Sequence, residues 1–248
     1  MDYRLLPAWF RFATISPEQE YINKDLHSGA KAKGTPPFRR VHSDYTAGGA
    51  RSHFRAMSEA WSCRSQTSQE RALFFKLRSE IIAAEDSAID QAGFEPGDDD
   101  MQAGKGGHWD WDGKGYEGPR YAIFSIWRPW EVVRRDPLAL MATLESELRY
   151  AVLPRTYKNR AGHVQDYYSE NPLVREPAEG ETHQWWYLSE QKPEGVYAIK
   201  FYDSEALKSG DGSVRSMCPH SAFRVECAED APPRRSSELR VWCIWQCI

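Results

Sequence analysis

Val41-His42-Ser43-Asp44 is where this 248-residue chain comes closest to a metal site in residue types and spacing. In an extended segment the side chains of residues i and i+2 leave the same face, so the His42 imidazole and the Asp44 carboxylate can reach one cation together. A second imidazole from a distant strand would complete a set of two histidines and one carboxylate. Such a set grips one face of a ferrous ion and leaves three positions open for a cosubstrate and oxygen. The spacing alone is weak: the chain has seven histidines, and His108-Trp109-Asp110 repeats it. For either pair the plain alternative is a solvated or hydrogen-bonded histidine. His42 follows a Pro-Pro turn and Phe38-Arg39-Arg40-Val41, which reads as a strand entering the core, whereas His108 sits among glycines. His42 is the better ligand.

The distal ligand has to come from a late strand, and Cys218-Pro219-His220-Ser221-Ala222-Phe223 offers a histidine flanked by apolar residues. By itself it could equally be a satisfied core histidine. The segment downstream, Arg234-Arg235-Ser236-Ser237-Glu238-Leu239-Arg240, adds weight to the metal reading. Arg234 and Ser236 share one strand face, where a guanidinium fork and a hydroxyl can hold the far carboxylate of a dicarboxylic acid such as 2-oxoglutarate. The same run could instead be a solvated basic edge strand. Period two also puts Glu238 and Arg240 on that face, so which arginine makes the bidentate contact stays open.

These groups need a frame. Ala50 to Ala92 carries helical spacing, with Phe54, Met57 and Trp61 and then Leu73, Leu77, Ile81 and Ala84, and Gly93 as a stop, which predicts one broken helix or two. Residues 95–119 are crowded with glycine and aspartate and read as a long surface loop or lid. Arg120 to Trp127 reads as a strand ending at Pro129, and Leu138 to Tyr150 as a helix opened by Asp136-Pro137. His183 to Leu188, Val196 to Tyr202, Met217 to Val225 and Ser237 to Trp245 are short β-rich runs. Helices followed by spaced strands predict an α+β, mainly β, fold: an antiparallel barrel or jelly roll buttressed by helices. No repeat of fixed period is visible.

Composition bounds the function. With 41% hydrophobic residues and a net charge of −4, the chain reads as a single globular domain over 1–248. It has no basic stripe, which argues against nucleic acid as a partner. No apolar run approaches the roughly 20 residues that span a bilayer, and Met1 to Phe12 lacks a cleavage-site pattern, so a soluble cytoplasmic protein is expected. Five scattered cysteines without C-x-x-C (Cys63, Cys218, Cys227, Cys243 and Cys247) fit reduced thiols, and Cys243 with Cys247 lacks the spacing of a four-ligand zinc site. Ten tryptophans, twelve tyrosines and ten phenylalanines supply core and also the walls of a pocket for a small organic ligand. Exposed aromatic residues would leave a homodimer face or a lid as alternatives.

Three blocks together resemble a known family: VHSDYTAGGAR (Val41 to Arg51), YAIFSIWRPWEVVRRDPLAL (Tyr121 to Leu140), and the run from HQWWYLSEQKPEGVYAIKFYDS through CPHSAF to RRSSELR. They resemble the fungal asaB-type hydroxylase/desaturase family, which includes gibberellin-desaturase-like and cephalosporin 7-alpha-methoxylase-like proteins. The likeness runs from about residue 38 onward, and Trp-Arg-Pro followed by Asp-Pro-Leu-Ala is its most distinctive piece. It implies a double-stranded β-helix and a non-haem Fe(II), 2-oxoglutarate and O2 dependent oxygenase, with His42, Asp44 and His220 as metal ligands. The implied reaction removes a hydrogen atom from a small specialised metabolite, leading to hydroxylation, desaturation or oxidative cyclisation. Arg234 and Ser236 are favoured as the cosubstrate anchor, with Arg240 and Arg128 as further cosubstrate-binding candidates. Lys200 and Tyr202 fall on blocks flanking the cavity, and Trp127, Trp185, Trp186 and Tyr187 are candidates for its walls. The section ahead of His42 is short for the family and the insertion at 95–119 long. Two rival functions remain on the sequence: an iron oxidase that draws its electrons from the substrate without 2-oxoglutarate, and a catalytically silent barrel that binds a metabolite or partners an active subunit.

Overall fold

The computed structural model describes residues 3–5, 8–14, 20–21, 32–33, 37–57, 67–94, 109, 111–142, 150–157, 167–209, 214–226, 228 and 230–247. The chain begins with strands β1 (Tyr3–Leu5), β2 (Ala8–Thr14), β3 (Glu20–Tyr21) and β4 (Ala32–Lys33), then helices α1 (Ala47–Ala56) and α2 (Ser68–Gln91). Strands β5 (Tyr121–Pro129), β6 (Leu138–Met141), β7 (Tyr150–Tyr157), β8 (Tyr167–Val174), β9 (Trp185–Tyr187) and β10 (Tyr197–Asp203) follow. Helix α3 (Ser204–Ser209), β11 (His220–Ala222) and β12 (Ser236–Cys247) complete it. The fold is mixed α+β, mostly β, as expected. Among the described residues no helix is long and apolar enough to cross a membrane.

Two antiparallel sheets carry the architecture. The larger has the order β1-β12-β5-β10, with β2 also on β12. The smaller is β11-β6-β9, and the residue that ties it to the β7–β8 hairpin is His42, which bridges to Leu173 of β8 on one side and His220 of β11 on the other. The twelve-residue β12 is the spine of the larger sheet. In its register with β5, Glu238 lies opposite Trp127, Arg240 opposite Ser125, Trp242 opposite Ile123 and Ile244 opposite Tyr121. Residues directly opposite in an antiparallel pair share a face, so this row is the sheet's inner surface. Its far end is apolar and takes the helices: the Phe54 ring lies 4.8 Å from both Tyr121 and Trp242. Each such ring taken out of water contributes about 1.5–3 kcal/mol.

Both helices begin on side-chain caps. The Thr46 hydroxyl accepts from Gly49 N–H at 3.0 Å and donates to Glu170 of β8 at 2.8 Å, fixing α1 to the hairpin. Thr67 and Glu70 form a capping box at the start of α2, and Gly93, at φ +72°, terminates it as predicted. The interruption expected between Ala50 and Ala92 is real, although Trp61 lies outside the described residues.

The helix predicted over Leu138 to Tyr150 is corrected. Leu138–Met141 is strand β6, paired with β11 and β9, β7 starts at Tyr150, and 143–149 lie outside the described residues. A short Leu-Ala-Leu-Met run is apolar in either period, and pairing on both edges overrides its helical propensity. The surface loop expected at 95–119 is described at Trp109 and from Trp111 onward. That end exposes Asp112, Lys114, Gly115 and Glu117 but is pinned inward by Trp111 and Tyr116, which are buried, and a Cβ on Gly48 would fall 2.6 Å from the Trp109 ring. His108 and Asp110 lie outside the described residues, as do Cys63 and Cys227. Cys243 is a free thiol.

At the end of β10, Asp203 is fully buried and accepts from Arg120 at 2.6 and 3.0 Å and from Lys200 at 2.8 Å. Burial alone would raise its carboxyl, but the hydrogen bonds and charges of Arg120 and Lys200 outweigh that and hold the pKa below the usual value. Asp203→Asn is expected to cost about 3 kcal/mol in denaturant unfolding at pH 7, since it leaves two cations facing a neutral amide. The sign with pH follows from the lowered pKa. The carboxylate's contribution is present above the unfolded-state value near 3.8 and fades as pH falls through the lower folded value, so the gap between variant and wild type should close in acid.

Candidate metal centre

His42 and His220 form a hydrogen-bonded antiparallel pair: His42 N–H donates to His220 O at 3.1 Å and His220 N–H to His42 O at 2.9 Å. Such partners project side chains to the same face, which is why two imidazoles from opposite ends of the chain meet with ring centroids 4.4 Å apart. Asp44, two residues on, returns to that face. One ligand atom from each of His42, Asp44 and His220 lies within 4.8 Å of the others, and Asp44 Oδ2 is 3.7 Å from His220 Nε2.

The second hydrogen bond of each ring decides which nitrogen is offered. His42 Nδ1 is 2.8 Å from Arg40 O, and His220 Nδ1 is 3.1 Å from Cys218 O. A carbonyl only accepts, so each Nδ1 carries the proton and each Nε2 presents its lone pair. Burial, reinforced by His220, lowers the His42 pKa to about 4, which keeps this ring neutral and able to ligate at neutral pH. Phe38 packs edge-on against His42 at 4.6 Å, and Phe201 stacks on His220 at 5.4 Å. Phe201 is the extra residue of a β-bulge in β10, where the register with β5 shifts between Lys200 and Tyr202. The bulge sends adjacent rings inward, Phe201 to the histidines and Tyr202 to the Tyr121 hydroxyl at 3.0 Å.

From the larger sheet, Arg240 reaches the same cluster. Its Nη2 is 3.1 Å from Asp44 Oδ1, its Nη1 donates to the Tyr45 hydroxyl at 2.9 Å, and its Nε to Glu238 at 3.2 Å. Burial would lower its pKa, but Asp44, Tyr45 and Glu238 hold it well above the usual guanidinium value. Asn171 of β8 adds a donor near Asp44 Oδ1 at 3.4 Å and binds the Asp44 carbonyl at 3.0 Å.

Arg234 and Ser236 are also buried on this face. Arg234 Nη1 donates to Asp136 O at 2.6 Å, and its guanidinium lies 5.1 Å over Trp127. Arg234 Nε and the hydroxyls of Ser236 and Ser125 have no hydrogen-bond partner among the described residues. Burial lowers the Arg234 pKa to about 10, with Asp136 and Glu238 offsetting only part of it. Arg128 is corrected: it is exposed, donates to Pro193 O at 2.8 Å, and sits on the opposite face of β5 from Trp127. Lys200 likewise turns away, to Asp203, over Phe124.

Register also sorts the aromatic wall candidates. His220 pairs with Leu140 and Leu140 with Trp186, so Trp186 shares the face of the histidines while remaining 68% exposed. Tyr187 falls on the other face, against Phe223 at 4.9 Å.

Two facing sheets with a buried His-x-Asp and a paired distal histidine define a candidate mononuclear metal centre. A family model described as "YDMC: Oxidoreductase/YMDC permease-like domain" matches residues 112–244, a span that includes His220 and Arg234 to Arg240. The chain belongs to this family, and it is similar to fungal hydroxylase/desaturase proteins of the asaB and GA4-desaturase kind. It is 28% identical over 94% of its length to "Oxidoreductase chry3" of Gibberella zeae, covering 63% of that protein. It is 26% identical over 93% of its length to "Gibberellin cluster GA4 desaturase" of Gibberella fujikuroi, covering 58%. A third relative, "Fe(II)/2-oxoglutarate-dependent dioxygenase nvfI" of Aspergillus novofumigatus, is 34% identical over 49% of this chain and 40% of its own length. The chain thus spans about 40–63% of the length of these relatives.

Proposed function

We propose that this chain is an Fe(II)- and 2-oxoglutarate-dependent oxygenase acting on an apolar small molecule of specialised metabolism. The observation that carries the reading is the His42–His220 cross-strand pair with Asp44 on the same face, each ring offering Nε2. The core is then a double-stranded β-helix, its two sheets meeting where Phe201 of one stacks on His220 of the other, with Arg240 reaching Asp44 beside them. Names of the relatives, a dioxygenase and a desaturase among them, support the same class.

The residues present fit the metal: two imidazoles offering Nε2 and a carboxylate are a ferrous donor set that leaves one face open. When bound, the iron supplies oxidative decarboxylation of 2-oxoglutarate by O2, coupled to loss of a hydrogen atom from the substrate. Arg234 and Ser236 hold the far carboxylate of the cosubstrate, which gives the unmatched Nε and hydroxyl their partners. Phe38 and Phe201 shield the histidines from water. Trp186, two strands from His220 on the ligand face, offers its indole as a wall for an apolar ring system. Trp186→Ala is expected to leave iron and 2-oxoglutarate binding intact and to raise the KM for the organic substrate about tenfold, by loss of roughly 1.4 kcal/mol of stacking and burial.

The test is to load the protein with iron(II) without oxygen, then supply 2-oxoglutarate and air. One iron per chain and succinate formation are expected. Iron with oxygen uptake but no succinate would instead indicate an oxidase, and a chain that takes up no iron would be a silent barrel.

A further inference from the structure

Of the two arginines on the ligand face, one is already committed. Each nitrogen of the Arg240 guanidinium has its own partner: Nη2 on Asp44, Nη1 on Tyr45 and Nε on Glu238. The plane is held between aromatic faces, 5.3 Å over Tyr45 and 5.3 Å over Phe201. Three of its five N–H donors, one on every nitrogen, are thereby spent within the protein. The bracing goes one residue further: the Tyr45 hydroxyl that accepts from Arg240 is also hydrogen-bonded to His53 Nδ1 at 2.8 Å, and the two rings stack at 5.6 Å. His53 is buried on α1, the helix that starts three residues after Asp44.

A carboxylate can bind a metal through one oxygen or two, and the second mode would take a coordination position the cosubstrate or oxygen needs. Arg240 Nη2 and Asn171 Nδ2 both approach Oδ1 of Asp44, while Oδ2 is the oxygen turned to His220 Nε2. Resting on the metal centre proposed above, we infer that Arg240 is a positioning residue that restricts Asp44 to ligation through Oδ2, braced by Tyr45 and His53, and that it does not bind 2-oxoglutarate. Arg234 is then the sole arginine of the anchor.

Co(II) is the probe, titrated into metal-free protein and read by its visible d–d bands, with His220→Ala as the reference for a lost centre. Arg240→Gln is expected to weaken Co(II) by about 10–100-fold and to shift the bands, as loss of a ligand's supporting hydrogen bond does. Its affinity for 2-oxoglutarate, measured at saturating Mn(II), should stay within about threefold of wild type. Arg240→Lys should fall between, since one ammonium cannot span Asp44, Glu238 and Tyr45. Tyr45→Phe should weaken Co(II) a few-fold in the same direction, and these two variants decide the matter if Arg240→Gln does not fold. Unchanged Co(II) affinity and bands in all three, with weakened 2-oxoglutarate, would overturn the inference and return Arg240 to the anchor. Absence of Co(II) binding in wild type would remove the metal centre itself, and this inference with it.

Discussion

His220→Ala is expected to abolish metal-dependent stabilisation and turnover together. At a metal concentration 100-fold above its dissociation constant, wild type should gain about 2.7 kcal/mol. That corresponds to roughly 5–10 °C in Tm for a domain of this size. The variant should gain nothing and lose well over a hundredfold in metal affinity, because removal of a ligand costs more than the 10–100-fold that follows loss of a supporting group. The backbone pair between His42 and His220 survives the change, so the metal-free variant should still fold, weakened by the missing contact with Phe201. Asp44→Ala should lose metal equally but fold less well, since it leaves the Arg240 guanidinium buried without its principal anion. Differential scanning with and without Mn(II) checks both. A Tm that still rises with metal in His220→Ala would move the centre elsewhere.

The convergence of His42, Asp44 and His220 was legible because it depends on period two and on one long-range pairing. His-x-Asp needs nothing beyond an extended backbone, and the apolar flanks of His220 marked a core strand end. The sequence could not reveal that His42 is itself a bridge between β8 and β11, contributing a backbone rung as well as a side chain to the candidate centre. A single bridged residue has no run of alternating side chains to announce it. The β7–β8 hairpin likewise went unread, yet its Asn171 holds Asp44 and its Glu170 caps α1 through Thr46.

Arg240 shows the same limit from the other side. Its place on the ligand face followed from spacing to Arg234 and Ser236, but partner choice is a tertiary matter. The bulge at Phe201 and the position of Tyr45 decide it, and neither has a local signature. Arg128 was carried in with the Trp127-Arg128-Pro129 block, although alternation along β5, with Trp127 buried and Arg128 exposed, already separates their faces. The β6 error belongs to another class: Leu-Ala-Leu-Met favours a helix until two neighbouring strands claim both of its edges.

Arg234→Ala should raise the dissociation constant of 2-oxoglutarate by roughly 10–150-fold, the equivalent of the 1.5–3 kcal/mol of a charge-assisted contact, with Co(II) affinity unchanged. Arg234→Lys should recover part of it, because an ammonium replaces the fork with a point charge. Ser236→Ala gives the sharper contrast. Its hydroxyl is fully buried and meets no partner among the described residues, so in the cosubstrate-free protein it costs desolvation without return. Removing it should therefore leave the Tm equal to or above that of wild type while weakening 2-oxoglutarate about three- to tenfold, the worth of one neutral hydrogen bond. A group kept at some expense to the empty fold and useful only with the cosubstrate bound is what an anchor predicts. A solvated basic edge predicts no effect on either measurement. Succinate release by the Arg234→Ala protein in step with wild type would show that this face does not anchor the cosubstrate, whereas turnover indifferent both to 2-oxoglutarate and to that change would leave an oxidase fed by its own substrate as the better account of the centre.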